Sequence, residues 1–271
     1  MNIILVSQDE IQNHTFSFPK TDARFQHIRN VLKLSEKAQF KAGIVNGKKG
    51  LARITCFSSE ALTACFETYE DSLPPPEVKL ILGFPRPIQL RRIIRDITCL
   101  GIDSLYLTGT ALGEKSYANA DIAADDALYR LLLDGCAQAG QTSVPAVYKA
   151  YSVRHLLGVY GKSMQTAGTK ALVDLYVPFY ALQAGSCPLQ NTSEPLHMLP
   201  RFAPLTALAW KRGTPLWLAI GSERGWTDEE RALFLEHGFA PYGMGSRILR
   251  TETAAAAALA VSLAQAGYWE L

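Results

Sequence analysis

Three consecutive prolines within SLPPPE, residues 72–77, set the firmest constraint on this chain. A proline run fixes φ, removes backbone donors and stiffens the chain into an extended segment, so neither a helix nor a central strand passes through it. The sequence on its two sides follows different rules. Before it come strand-length pieces, MNIILV, AQFKAGIVNG, GLARITCFS and ALTACFETYE, with NGKKG between two of them as a hairpin signal. One helical piece, TDARFQHIRNVLKL, interrupts them. Residues 1–73 therefore read as a small, mostly β, barrel-like domain.

After the prolines, strands and helices alternate. VKLILGF is a buried-strand run, and PIQLRRIIRDITCLG places Leu90, Ile93, Ile94 and Ile97 on one helical stripe that Gly101 ends. DSLYLTG, TKALVDLY and PLWLAIG read as further strands, and AADDALYRLLLDGCAQAG as a helix. TDEERALFLEHG carries a capping box, Thr227 with Glu230. A last helix runs from Thr251 to about Ala266, with Gly267 beyond it. This alternation predicts an α/β domain over residues 74–271, a mostly parallel sheet covered on both faces. The proline-rich stretch 178–212 yields no clear period.

Charge is uneven along the chain. Residues 20–53 hold nine Lys/Arg against two acids, whereas residues 54–77 hold five acids and no base. A basic stretch of that density reads phosphates or forms a solvated face; charge alone does not choose. No apolar run approaches the ~18–20 residues that cross a bilayer, and MNIILVSQDE lacks the basic start of a secretion signal. The five cysteines, Cys56, Cys65, Cys99, Cys136 and Cys187, show no metal-ligand spacing, which predicts buried or idle thiols in a reducing cytoplasm and no bound metal.

In a parallel sheet, ligands bind beyond the carboxyl ends of the strands. Two loops there carry suitable residues. IGSERGW, residues 220–226, follows a buried strand and precedes the capped helix; Gly221 and Gly225 allow a sharp turn and a close approach. GMGSRILRTET, residues 243–253, enters the last helix, with Thr251 as the expected N-cap and free N–H groups beside it. The chain has no G-x-G-x-x-G after the first strand, no G-K-[ST] and no G-x-S-x-G, which argues against a Rossmann dinucleotide fingerprint, a P-loop and a nucleophile elbow.

The C-terminal stretch IGSERGWTDEERALFLEHGFAPYGMGSRILRTETAAAAALAV resembles the signature of the bacterial ribosomal-RNA methyltransferases that modify N3 of a uridine in small-subunit RNA, members of the knotted SPOUT superfamily. Gly221, Glu223, Gly225, Gly245, Arg247, Ile248, Leu249, Arg250, Thr251, Glu252, Thr253 and Ala254 carry the match. Upstream, RFQHIRNVLKL resembles the family's H-x-x-x-V-L-R-L element through His27, Val31, Leu32, Lys33 and Leu34, and AQAGQTSVP echoes a central E-Q-x-x-R-x-x-V-P segment. Ser222 stands where the family has proline, Arg224 where it has glycine, Ala137 and Gln141 where it has Glu and Arg, and Cys99 where it has Glu.

The resemblance implies an α/β trefoil-knot domain preceded by a PUA-type RNA-binding domain. It implies S-adenosyl-L-methionine held by Ile220, Gly221, Glu223, Gly225, Met244, Gly245, Ile248, Leu249, Arg250 and Thr251. Arg250 and Arg247 are the candidate cations that favour the uridine anion, and Glu252 is the candidate proton acceptor. Arg24, His27, Arg29 and Lys33 are the candidate RNA contacts, with Arg91 and Arg95 either extending that surface or merely solvated. Ribosomal RNA or the small subunit is the implied partner, through a cytoplasmic homodimer joined by the last helix; a last helix packed on its own sheet needs no second copy. These departures leave two other readings open: a knotted methyltransferase for another RNA and, from the altered central motif at residues 137 and 141, an RNA-binding protein of this fold without turnover.

Overall fold

The computed structural model describes residues 2–165, 168–174 and 202–270. The chain divides into two compact units. The first comprises Met1–Pro74 and Tyr129–Val144, the second Pro75–Leu128 and Pro145–Leu271.

The first unit is built on a curled five-stranded sheet: β1 (Ile4–Val6), β2 (Thr15–Pro19), β3 (Gln39–Ile44), β4 (Lys49–Phe57) and β5 (Ala61–Glu70), in the order β1-β3-β4-β5-β2. β1 runs parallel to β3 and the other pairs are antiparallel. β1 and β2 form its two edges, so the sheet is a half-barrel. The hairpin signal is realised between β3 and β4, where Asn46 takes φ 56° and the Ile44 N–H donates to Lys48 O. Alternation along β2 and β5 buries Phe16, Phe18, Leu62, Ala64 and Phe66, and the rings of Phe16 and Phe18 lie 4.9 Å apart. The expected helix over residues 21–34 is shorter: α1 (Ala23–Gln26), capped by Asp22, relaxes into a π turn at His27–Val31.

Residues 129–144 belong with this half of the chain because Cys136 and Ala137 pack with Ile3 and Leu5, and Ala137 O accepts from Asn2 N and Ile3 N. A glutamate at 137 would bury its charge there; alanine fills the space. Cys187 lies outside the described residues.

Among the described residues the second unit has seven parallel strands. They are β6 (Val78–Gly83), β7 (Ser104–Thr108), β8 (Ala146–Ala150), β9 (Thr169–Val173), β10 (Ala203–Pro204), β11 (Leu216–Ile220) and β12 (Ala240–Gly243), in the order β10-β12-β9-β11-β6-β7-β8. Its α-helices among the described residues are α2 (Pro87–Leu100), α3 (Asp125–Ala139, whose later part belongs to the first unit), α4 (Val153–Gln165), α5 (Asp228–Glu236) and α6 (Thr251–Gln265). β7 and β11 are buried at every position, as strands covered on both faces must be. The stripe Leu90, Ile93, Ile94, Ile97 is the buried face of α2.

Successive strands β6, β7 and β8 step in one direction. β9 then lands on the far side of β6, one strand's width away, and β11 enters that gap in register with both, Leu216 beside Val78 and beside Thr169. β12 adds outside β9, and α6 returns to pack on α2 and β11. Residues 175–201, and with them most of the 178–212 stretch, lie outside the described residues. Of its remainder, Leu205, Leu208 and Trp210 are buried.

Candidate active site

The carboxyl ends of β9 and β11 and the loop entering α6 meet in one cleft, lined by Val173, Asp174, Ile220, Gly221, Ser222, Glu223, Gly225, Trp226, Ile248, Leu249, Thr251 and Ala254. The two glycine loops singled out by sequence therefore form opposite parts of a single site.

The first loop is a tight turn. Gly225 adopts φ 69° and its N–H donates to Ser222 O at 2.9 Å. A Cβ on Gly221 would sit 2.8 Å from Gly225 Cα, so the turn closes only without a side chain there. Three side chains fix it to neighbouring elements. Glu223 accepts from Arg86 N at 2.8 Å, at the start of α2. The Ser222 and Thr110 hydroxyls share a 3.0 Å hydrogen bond, a use that proline could not offer. Buried Glu230 completes the capping box, accepting from Thr227 N at 2.9 Å, and with its other oxygen accepts from Ala111 N at 2.8 Å.

Asp174, just past β9, is buried on the cleft wall and paired with Arg231, which also binds Asp228 at 2.6 Å. Sequence reasoning passed over it. The signal was present: an acid directly after the buried run ALV is an expensive place for charge unless something pairs with it.

The second loop differs from expectation at its cap. Arg250, not Thr251, is the N-cap of α6, with φ −69°, ψ 152° and no side-chain hydrogen bond. Thr251 is instead the first helical residue, buried at 5% exposure on the cleft wall. The first-turn N–H groups of α6 are therefore left without a side-chain acceptor among the described residues, a positive helix end directed at the site. Ile248 is 62% exposed at the cleft, an apolar surface without cover.

Of the expected cofactor residues, Ile220, Gly221, Glu223, Gly225, Ile248, Leu249 and Thr251 line the cleft. Met244, Gly245 and Arg250 sit on the same loop without lining it, and Gly245 turns it with φ 93°. Arg247 and Arg250 are exposed; Arg250 Nη1 lies 4.0 Å from Glu252 Oε1.

The candidate RNA residues divide. Arg24 donates all five N–H groups inside its own unit: to Asp22, to Glu10 and to Leu5 O at 3.0 Å. Its guanidinium also lies 4.0 Å from the Phe18 ring centre. That leaves it no donor for a phosphate, and its role is to hold α1 against the sheet. His27 is half-buried, its Nε2 has no partner among the described residues, and burial pushes its pKa below the usual value. Arg29 and Lys33 remain exposed.

Among the described residues no helix is long and apolar enough to cross a membrane. A model of the RNA methyltransferase domain family matches residues 72–263. A ribosomal RNA small subunit methyltransferase E from Treponema pallidum (strain Nichols) is 44% identical over 280 residues, spanning 100% of this chain and 93% of that protein. Ribosomal RNA small subunit methyltransferase E 1 of Borreliella burgdorferi is 25% identical, with 95% of each chain covered. Among solved structures, a ribosomal RNA small subunit methyltransferase E from Neisseria gonorrhoeae bound to S-adenosyl methionine shares the fold at TM-score 0.68 and 21% identity, with 97% of each chain covered.

Proposed function

Because the chain belongs to the RNA methyltransferase family whose relatives are the small-subunit ribosomal RNA methyltransferases E, we propose that it transfers the methyl group of S-adenosyl-L-methionine to N3 of a uridine in small-subunit ribosomal RNA. The observation that carries this reading is the convergence of the two glycine loops on one cleft.

The lining fits the cofactor's chemistry. Ile220, Leu249 and exposed Ile248 offer an apolar slot for a purine, and the uncapped start of α6 offers N–H donors to its polar edge or carboxylate. Glu223 on the cleft wall suits a cationic ligand. Bound there, S-adenosyl-L-methionine supplies an electrophilic methyl carbon on a sulfonium centre. The chain's own part is then to orient and to manage one proton. A uridine imide nitrogen is a poor nucleophile until its proton leaves, and a fixed cation beside the base oxygens favours the anion. Arg250 takes that task, since guanidinium stays charged at any working pH, with Arg247 beside it for the base or a phosphate. Glu252, 4.0 Å from Arg250, is the acceptor for the N3 proton.

A homodimer is part of this reading. The inner face of α6 is used within the chain, Ala254, Ala255, Ala258, Leu259 and Leu263 being buried against α2 and β11. Ala256, Ala257, Ala260 and Val261 remain half-exposed on the outer face, small enough for a second helix to approach closely. Sedimentation of the purified protein as a dimer supports this, and a monomer at micromolar concentration removes it.

The test of the activity is mass spectrometry of RNA from small subunits incubated with the protein and labelled S-adenosyl-L-methionine, the subunits coming from cells without this gene. Label at uridine N3 is expected. Label on another nucleoside would keep the methyltransferase and remove the N3 assignment.

A further inference from the structure

Tyr151, directly after β8, is 78% exposed, and its ring stacks on His155 with centroids 4.1 Å apart and planes 23° from parallel. The neighbouring aromatic residues behave differently: Tyr106 and Trp217 are buried core members, and Tyr148 stacks on Tyr106. Burial explains Tyr106 and Trp217, and a stack on a core ring explains the exposed Tyr148; Tyr151 has neither role. Its support is nevertheless fixed. The Ser152 hydroxyl accepts from His155 N at 3.2 Å and so holds the first turn of α4, and with it the imidazole, beneath the phenol. Arg154, the next residue before the histidine, is exposed.

The stack stands on the same rim as the cleft. Gly109 N–H, at the end of β7, donates to Ala150 O at 3.0 Å, and a Cβ on Gly109 would meet Tyr151 O at 2.2 Å. The next residue, Thr110, bonds Ser222 on the cleft wall. Three strand spacings separate β8 from β11, about 14–15 Å along the row of carboxyl ends. That is within reach of a few nucleotides of single-stranded RNA whose target base occupies the cleft.

An exposed aromatic ring already held by a second ring, with an arginine adjoining, has the chemistry for unpaired RNA: the base stacks on the ring and the phosphate meets the guanidinium. We propose that Tyr151, backed by His155, is a stacking platform for an unpaired base flanking the methylated nucleotide, and that Arg154 holds its phosphate. This rests on the RNA methylation reading above. Tyr151 acts here as a positioning residue, distant from the transferred methyl.

The experiment compares wild type, Tyr151→Phe, Tyr151→Ala and Arg154→Ala. Affinity for a fluorescent short single-stranded RNA is read by anisotropy, S-adenosyl-L-methionine affinity by calorimetry, and KM and kcat with unmodified small subunits. Tyr151→Ala is expected to weaken RNA binding and raise KM about tenfold, the scale of one lost base stack, with kcat and cofactor affinity kept and Tyr151→Phe close to wild type. Arg154→Ala is expected to weaken binding less and to flatten its salt dependence. Unchanged RNA affinity and KM in Tyr151→Ala, with wild type active, overturn the platform and leave the enzymatic reading intact. Tyr151-dependent RNA binding by a wild type that transfers no methyl group would do the reverse.

Discussion

Arg24 shows why a residue's surroundings outrank its type. The basic run 20–53 marks it as a candidate phosphate reader, yet Asp22 lies two positions away and Glu10 arrives from an earlier turn, and both take it. The hydrogen bonds from Arg24 hold the Glu10 carboxyl below its usual value. Burial would raise the Asp22 carboxyl, but the Arg24 hydrogen bonds outweigh it and lower that one too. Both shifts are downward, so the stability they contribute is complete above their ordinary values, 4.5 and 3.8, and is lost as pH falls through the lower folded values. Arg24→Met is therefore expected to cost roughly 1–3 kcal/mol in urea unfolding at neutral pH, with the gap to wild type closing in acid; a gap independent of pH would reject this. Gly221→Ala places a methyl 2.8 Å from Gly225 Cα, so about 1–3 kcal/mol of stability should be lost together with cofactor affinity by calorimetry. Arg250→Ala should lower kcat by about 10²–10³, as losing a charge-stabilising donor does, with cofactor affinity retained. Unaltered turnover would remove Arg250 from the chemistry.

Elements were legible in proportion to how much their own side chains decide them. The α2 stripe and the Thr227–Glu230 box are local patterns, and both appear as read. Thr227→Ala should cost about 1 kcal/mol, measured by thermal unfolding. β8 was missed because it is a sheet edge: AVYKA is exposed or half-exposed along most of its length and lacks the apolar run of a covered strand. α4 was missed because Gly158 and Gly161 interrupt its pattern. Gly161 exists for packing, since a Cβ there would lie 2.9 Å from the His237 ring. The cap of α6 was misassigned by one residue for a similar reason. Thr251 has the chemistry of an N-cap, but tertiary burial on the cleft wall claims its side chain first. The cleft itself was readable as two loops, Trp226 closing the first; Asp174 showed only as an acid after a buried run, and its partner Arg231 lies 57 residues further on, beyond any local pattern.

Across the whole molecule, strand order was the least legible feature, since it is fixed by long-range pairing. Parallel neighbours such as β6 and β11 are far apart in sequence, which slows folding relative to a chain of local contacts. Refolding from urea is expected to show a slow phase for the second unit, followed through Trp217 and Trp226, and S-adenosyl-L-methionine at a hundred times its Kd should raise stability by about 2.7 kcal/mol. A ligand-independent unfolding midpoint would mean that the cleft does not take it. The late arrival of β11 also matters during synthesis. Until residues 216–220 leave the ribosome, β9 and β6 have no common neighbour and the cleft lacks its floor. Translation cut short before that point yields a polypeptide with open sheet margins and no closed cleft, a substrate for proteases.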